Sequence, residues 1–148
     1  ASVGQLRSKV QNFHLGEDKM EREFFKGTWQ KNRAFSPCVK TMGGTMLWVA
    51  GHGAYQNTDG KSLAGDFGAQ THEVFRLMGD TMARAGAKLQ DLVTMTVWII
   101  DSRHGDEFTE IRKEYFPNGF PASAMITCSG FARPEMMVEI QGIAVIDT

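Results

Sequence analysis

Apolar and polar positions alternate most clearly near the C-terminal end of the chain. Ala122 to Cys128 and Met136 to Val145 each read as a strand, with the turn-forming residues Gly130 to Pro134 between them. Strand side chains alternate faces, so Ser123, Met125 and Thr127 share one side of the first strand. In the second, Met137, Glu139, Gln141 and Ile143 fall on one face, and Met136, Val138, Ile140 and Ala144 form an apolar face suited to a helix layer. Upstream, two strand-like runs between Cys38 and His52 flank Gly43-Gly44, a pair able to supply the positive φ angles of a tight hairpin turn. Asp66 is placed to cap a helix reaching about Ala85, with Val74, Phe75, Met78 and Met82 along one stripe and Gly86 at its end. Leu92 to Ile100 is a run without a break and rich in β-branched residues, as expected of a central strand covered on both faces. The spacing of Phe108, Ile111 and Tyr115 predicts a second helix over about Gly105 to Tyr115, stopped before Pro117.

The order of these elements is an α+β layout, with two helices on one face of a mixed sheet. The opposite sheet face also needs cover, and a neighbouring copy of the same sheet is the economical source, so a homo-oligomer with clefts between subunits is expected. Residues 1–34 differ in character. Val3, Leu6, Val10 and Phe13 recur at helical spacing behind Ser2, and a run both charged and aromatic follows. Phe24, Phe25 and Trp29 would be poorly placed in water, which predicts an arm packed on the domain of residues 35–148 or on a neighbouring subunit.

With 148 residues, 42% of them hydrophobic, and a net charge of −1, the chain has the size and balance of one globular domain. It lacks the basic surplus of a nucleic-acid binder, and ribonuclease chemistry ranks low. No run is long and apolar enough to span a membrane. Cys38 and Cys128 match no metal or redox spacing, and His14, His52, His72 and His104 show no ligand spacing with them, so no metal site is expected. The two cysteines are too few for a disulfide framework, and a cytoplasmic location is expected. Gly60-Lys61-Ser62 imitates the tail of a phosphate-binding loop, but the earlier glycine that such a loop needs would fall at Tyr55.

Glu139 is the residue that asks for an explanation. A carboxylate within an apolar strand must face water, a subunit partner or a ligand, because burial without a partner is costly. Gly51-His52-Gly53 ends the second upstream strand, where sparsely covered backbone can approach a ligand and His52 could bond one or serve structurally. Cys38 is a weaker nucleophile candidate, with no acid or histidine close to it in sequence.

Ala83-Arg84-Ala85-Gly86-Ala87 through Asp91-Leu92-Val93, Tyr115-Phe116-Pro117, Phe120-Pro121-Ala122, and Val138-Glu139-Ile140 through Ala144-Val145 together resemble the Rid family of reactive-intermediate deaminases, formerly YjgF. The similarity covers about Ser36 to Asp147. It implies a chorismate-mutase-like fold, a homotrimer with a barrel-like core, sites in the subunit clefts, and hydrolysis of enamines or imines to keto acids and ammonia without cofactor. The family's glutamate, held to position or activate water, corresponds to Glu139. Its carboxylate-binding arginine corresponds to Ser123, which replaces a bidentate guanidinium by one hydroxyl. Cys38, Ala50, Met125 and Arg112 also depart from the family's residues. Either the substrate lacks the usual carboxylate or another cation holds it, and Arg112 is the candidate if its side chain reaches the cleft. The reading that follows is a hydrolase acting on a nonstandard small molecule, with Glu139 catalytic and Ser123, Met125, Gly51, His52, Cys38 and Arg112 around the substrate. The alternatives are a small-molecule-binding or regulatory trimer without deaminase chemistry, and a related hydrolase of another electrophilic bond.

Overall fold

The computed structural model describes residues 19–26, 29 and 31–148. The helix predicted over Val3 to Phe13 lies outside them. The described elements are β1 (Glu21–Phe25), β2 (Cys38–Met42), β3 (Thr45–Gly53), α1 (Phe67–Ala83), β4 (Leu92–Ile99), α2 (Gly105–Tyr115), β5 (Ala122–Thr127) and β6 (Val138–Ile146). Asp66 caps α1 by accepting a bond from the Ala69 amide at 2.9 Å, and Gly86, with φ of 75°, turns the chain beyond its end.

Four strands form a mixed sheet in the order β3-β6-β4-β5, with β4 and β5 parallel and the other pairs antiparallel. The two C-terminal strands are therefore not neighbours. The α2 crossover lays β5 parallel to β4 on one edge, and β6 pairs with the other edge of β4, which takes the centre as its apolar run predicts.

The expected hairpin is corrected in its pairing. Both strands form, and Gly43 and Gly44 have φ of 71° and 83°, but β2 pairs with β1 in a separate two-stranded ladder from Glu21↔Met42 to Phe25↔Cys38. Gly44 serves a close approach instead, since a Cβ there would collide with the Ile146 carbonyl oxygen of β6. Arg22 ties β1 down, donating from its guanidinium to the carbonyls of Gln90, Asp91 and Val145 at 2.6, 2.9 and 3.1 Å. Phe24 packs against Gly119, while Phe25 and Trp29 stay exposed.

Both helices lie on one face of the sheet. Phe75, Met78, Phe108, Val97, Val138 and Ile140 are fully buried between the layers, and Phe75 stacks on Tyr115 with ring centroids 4.3 Å apart. Burial alternates along β4: Met95, Val97 and Ile99 face the helices, and Thr94, Thr96 and Trp98 face the other way. That helix-free face carries Trp48, which is 75% exposed, together with Met46 and Ile126.

Candidate functional site

Glu139 lies on β6 opposite Gly53 of β3 and Trp98 of β4. It is half-buried between the fully buried Val138 and Ile140, so its side chain leaves the sheet on the helix-free side. The carboxylate has no hydrogen-bond or ion-pair partner among the described residues, and it lies over Gly51, where an added Cβ would stand 2.9 Å from Glu139 Cδ. Glycine at 51 is thus explained by the room that the Glu139 carboxylate takes.

A register shift between Val49 and His52 brings this about. The irregularity places His52 opposite Ile140, on the helix side. There its Nδ1 donates to the Ala50 carbonyl at 2.8 Å, and its Nε2 accepts from the Thr81 hydroxyl at 2.9 Å. The bulge thus turns the His52 ring onto α1, on the side of the sheet opposite Glu139, with both nitrogens engaged. Cys38 begins β2 in the separate ladder and is an exposed free thiol.

Ser123 and Met125 pair with Met95 and Val97 and so face the helix side of the edge strand β5. Above them stands Arg112 of α2, only 2% exposed. One terminal nitrogen of its guanidinium donates to Ser123 Oγ at 2.7 Å and the other to the Arg33 carbonyl at 3.1 Å, while the group stacks 5.1 Å from the Phe108 ring centroid. Its Nε is buried without a partner, and no carboxylate pairs with it among the described residues. Burial pushes its pKa down to about 10, with the neighbouring Arg33 charge acting in the same direction, so it remains a cation at neutral pH.

A cavity of about 160 Å³ opens at this point, lined by Arg33, Phe35, Thr109, Arg112, Ser123 and Met125. The loop that supplies Arg33 is strained: Asn32 and Ala34 have φ of 65° and 59°, a region that alanine rarely adopts. It is pinned to the start of β5 by the Ser36 amide and hydroxyl, which donate to the carbonyls of Pro121 and Phe120 at 3.0 and 2.6 Å. Neither Arg33 nor Phe35 was legible as a site residue, because a positive φ at alanine has no sequence signal.

The geometry thus brings Arg112, Ser123 and Met125 together, and Glu139 with Gly51, as two groups on opposite sides of one sheet. Among the described residues, no three His, Cys, Asp or Glu side chains gather as a metal-binding group.

Comparison with known proteins gives a consistent frame. A family model described as endoribonuclease L-PSP matches residues 29–146. Among solved structures, the chain is similar to YyfB from Yersinia pestis, a Rid-family protein of unknown function, at 23% identity and a TM-score of 0.74 over 84% of this chain and 98% of that one. It is similar to Rv2704 from Mycobacterium tuberculosis, a member of the YjgF/YER057c/UK114 family, at 23% identity and 0.61 over 85% and 100%. Yeast Mmf1 matches at 19% identity and 0.62 over 83% and 92%. At these identities the structures establish the shared fold.

Proposed function

The chain belongs to the endoribonuclease L-PSP family, the YjgF/Rid family that its sequence resembles, and from this premise we propose that it is a cofactor-independent hydrolase of an enamine or imine. The observation that carries the reading is Glu139: a partly buried carboxylate without a partner among the described residues, in a space kept open by Gly51. Such a group can accept a proton from water and aim its oxygen at an sp² carbon bonded to nitrogen. Water adds across the C=N bond, the carbinolamine formed loses the nitrogen as ammonia, and a carbonyl product remains. Donors fixed in advance, such as backbone amides at the strand ends, then stabilise the charge that develops during addition.

Trimers are typical of the family. A site shared between copies accounts for the separation of Glu139 from the Arg112–Ser123 group, since the helix-free face of one subunit can meet the β5 edge of the next. RNA cleavage, which the family's name suggests, is the weaker reading, because a chain with a net charge of −1 lacks the cationic surplus that holds a polyphosphate.

Ammonia release from freshly generated imino acids and from other enamines tests the proposal. Loss of release in Glu139→Gln with the assembly intact is the expected result. Undiminished release in that variant would remove Glu139 from the mechanism.

A further inference from the structure

Phe35, a wall of the Arg112 cavity, also lines a second and larger one of about 980 Å³. It lies between β1 with the loop of residues 31–36 and the end of α2 with the loop that follows. This volume is at the upper end of the roughly 300–1,000 Å³ of small-molecule sites, against about 160 Å³ beside Arg112. Its apolar walls are the rings of Phe24, Phe35, Phe116 and Phe120. Lys26, Lys31 and Lys113 stand among them, and none of the described residues lining the cavity is acidic. Lys113 has an ion partner in Glu110 at 2.7 Å on the surface of α2, while Lys26 and Lys31 have none among the described residues. In a chain with a net charge of −1, this is a local surplus of positive charge. Both walls are fixed. Gly119 has φ of 137°, and a Cβ on it would stand 2.6 Å from the Phe24 ring, so glycine lets that ring close on the loop after α2. Across the cavity Ser36, only 4% exposed, bonds the 31–36 loop to the Phe120 and Pro121 carbonyls.

We propose that this cavity binds an extended aromatic anion, two or more fused rings bearing one acidic group, with the rings among the phenylalanines and the acid among the lysines. Four phenylalanine rings favour a flat π-surface over a flexible chain, because offset and edge-on ring contacts add to simple burial. A single ring would leave most of 980 Å³ unfilled. Lysine is a flexible point charge, so it meets an acid at the rim without dictating its plane, unlike the guanidinium fork of Arg112. The ligand would touch the arm through Phe24 and Lys26 and the domain through Phe116, Phe120 and Lys113. Phe24 and Lys26 precede the segment matched by the family model, so the site depends on residues outside that segment. It involves neither Glu139 nor Arg112, and it does not rest on the proposed hydrolase.

Calorimetric titration of the full chain with 2-naphthoate, 2-naphthylmethanol and octanoate separates recognition of the charge from recognition of the rings. Naphthoate should bind at least about 10-fold more tightly than the alcohol, the scale of one charge-assisted contact. It should also bind more tightly than octanoate, and added salt should narrow its lead over the alcohol, since the lysines lie near solvent. Phe24→Ala should weaken naphthoate about 10-fold. Lys31→Gln combined with Lys113→Gln should remove most of the preference for acid over alcohol. Arg112→Met should bind naphthoate as the unmodified protein does. No binding, or equal binding of naphthoate and the alcohol by the unmodified protein, would overturn the proposal without any variant having to fold. Loss of binding in a folded Arg112→Met would overturn it by moving the ligand beside Ser123, as would unchanged affinity in a folded Phe24→Ala. Tighter binding of octanoate than of naphthoate would overturn the aromatic class in favour of acyl chains.

Discussion

Arg112 and Gly51 are each placed against a local cost that only the rest of the site explains. The folded-state pKa of Arg112 is lowered from the ordinary arginine value to about 10, so the charged form is disfavoured by folding. For a base shifted downward, the penalty is present at all pH values below about 10 and is lifted only as pH rises through that value. At neutral pH the buried Arg112 charge is therefore destabilising. Replacing a buried charge that has no counterion among the described residues by an apolar side chain of similar length should leave the melting temperature of Arg112→Met at or above that of the unmodified protein. A scanning-calorimetry comparison of the two chains checks this. Gly51→Ala is the complementary case. Its Cβ would lie 2.9 Å from Glu139 Cδ, and the carboxylate must move away. A displacement of this size should lower kcat by about 100-fold with little change in thermal stability, read from Glu139-dependent ammonia release.

At the scale of elements, two connections hold the parts of the site in register. Gln70 of α1 is fully buried and donates to the carbonyls of Leu63 and Glu135 at 3.0 and 2.7 Å, while its own carbonyl accepts from the Met137 amide at 2.8 Å. The last two bonds fix the chain just before β6, two residues ahead of Glu139. Gln70→Leu keeps the volume but strands these backbone groups, and should cost about 2–4 kcal/mol in a denaturant melt, with a loss of activity beyond the loss of folded protein. The second connection is Arg22. Its three carbonyl acceptors span the start of β4 and the end of β6, so this one side chain ties β1 to two strands of the main sheet. Arg22→Ala should lower stability by about 1–3 kcal/mol, and deletion of residues 1–30, which removes β1 altogether, should lower the melting temperature further. An unchanged melting temperature after that deletion would show that the ladder contributes nothing to the domain.

At the scale of the whole molecule, the sheet has one face packed under helices and one face bearing Met46, Trp48 and Ile126 in the open. An apolar area of this kind on a central sheet is an interface in waiting. In the trimeric arrangement typical of the family, these side chains would be withdrawn from water and the two halves of the site joined. Trp48→Glu should therefore reduce the assembled protein to monomers in sedimentation velocity, and should abolish activity while leaving Arg112 in place. A trimer that persists in this variant would locate the contact elsewhere.

Much of the fold was legible in the sequence because it follows from local rules. Asp66 and Gly86 bracket α1, Pro117 follows the end of α2, and the β-branched run of β4 marks the central strand. Hydrophobic periodicity also places Glu139 opposite the core face of β6. What the sequence could not decide is pairing and reach. Whether β2 meets β3 or β1 is not written locally: β2 pairs with β1, and Gly44 packs against Ile146, over 100 positions away. Whether His52 faces Glu139 depends on a single register shift, which reverses the side of the sheet on which a residue stands. Whether Arg112 ends in water or over Ser123 depends on how α2 lies across β5 and on the strained loop at Ala34. Each of these is a balance among groups distant in sequence, and only the tertiary structure settles it, because burial and charge compensation belong to the assembled environment and not to the residue that carries the charge.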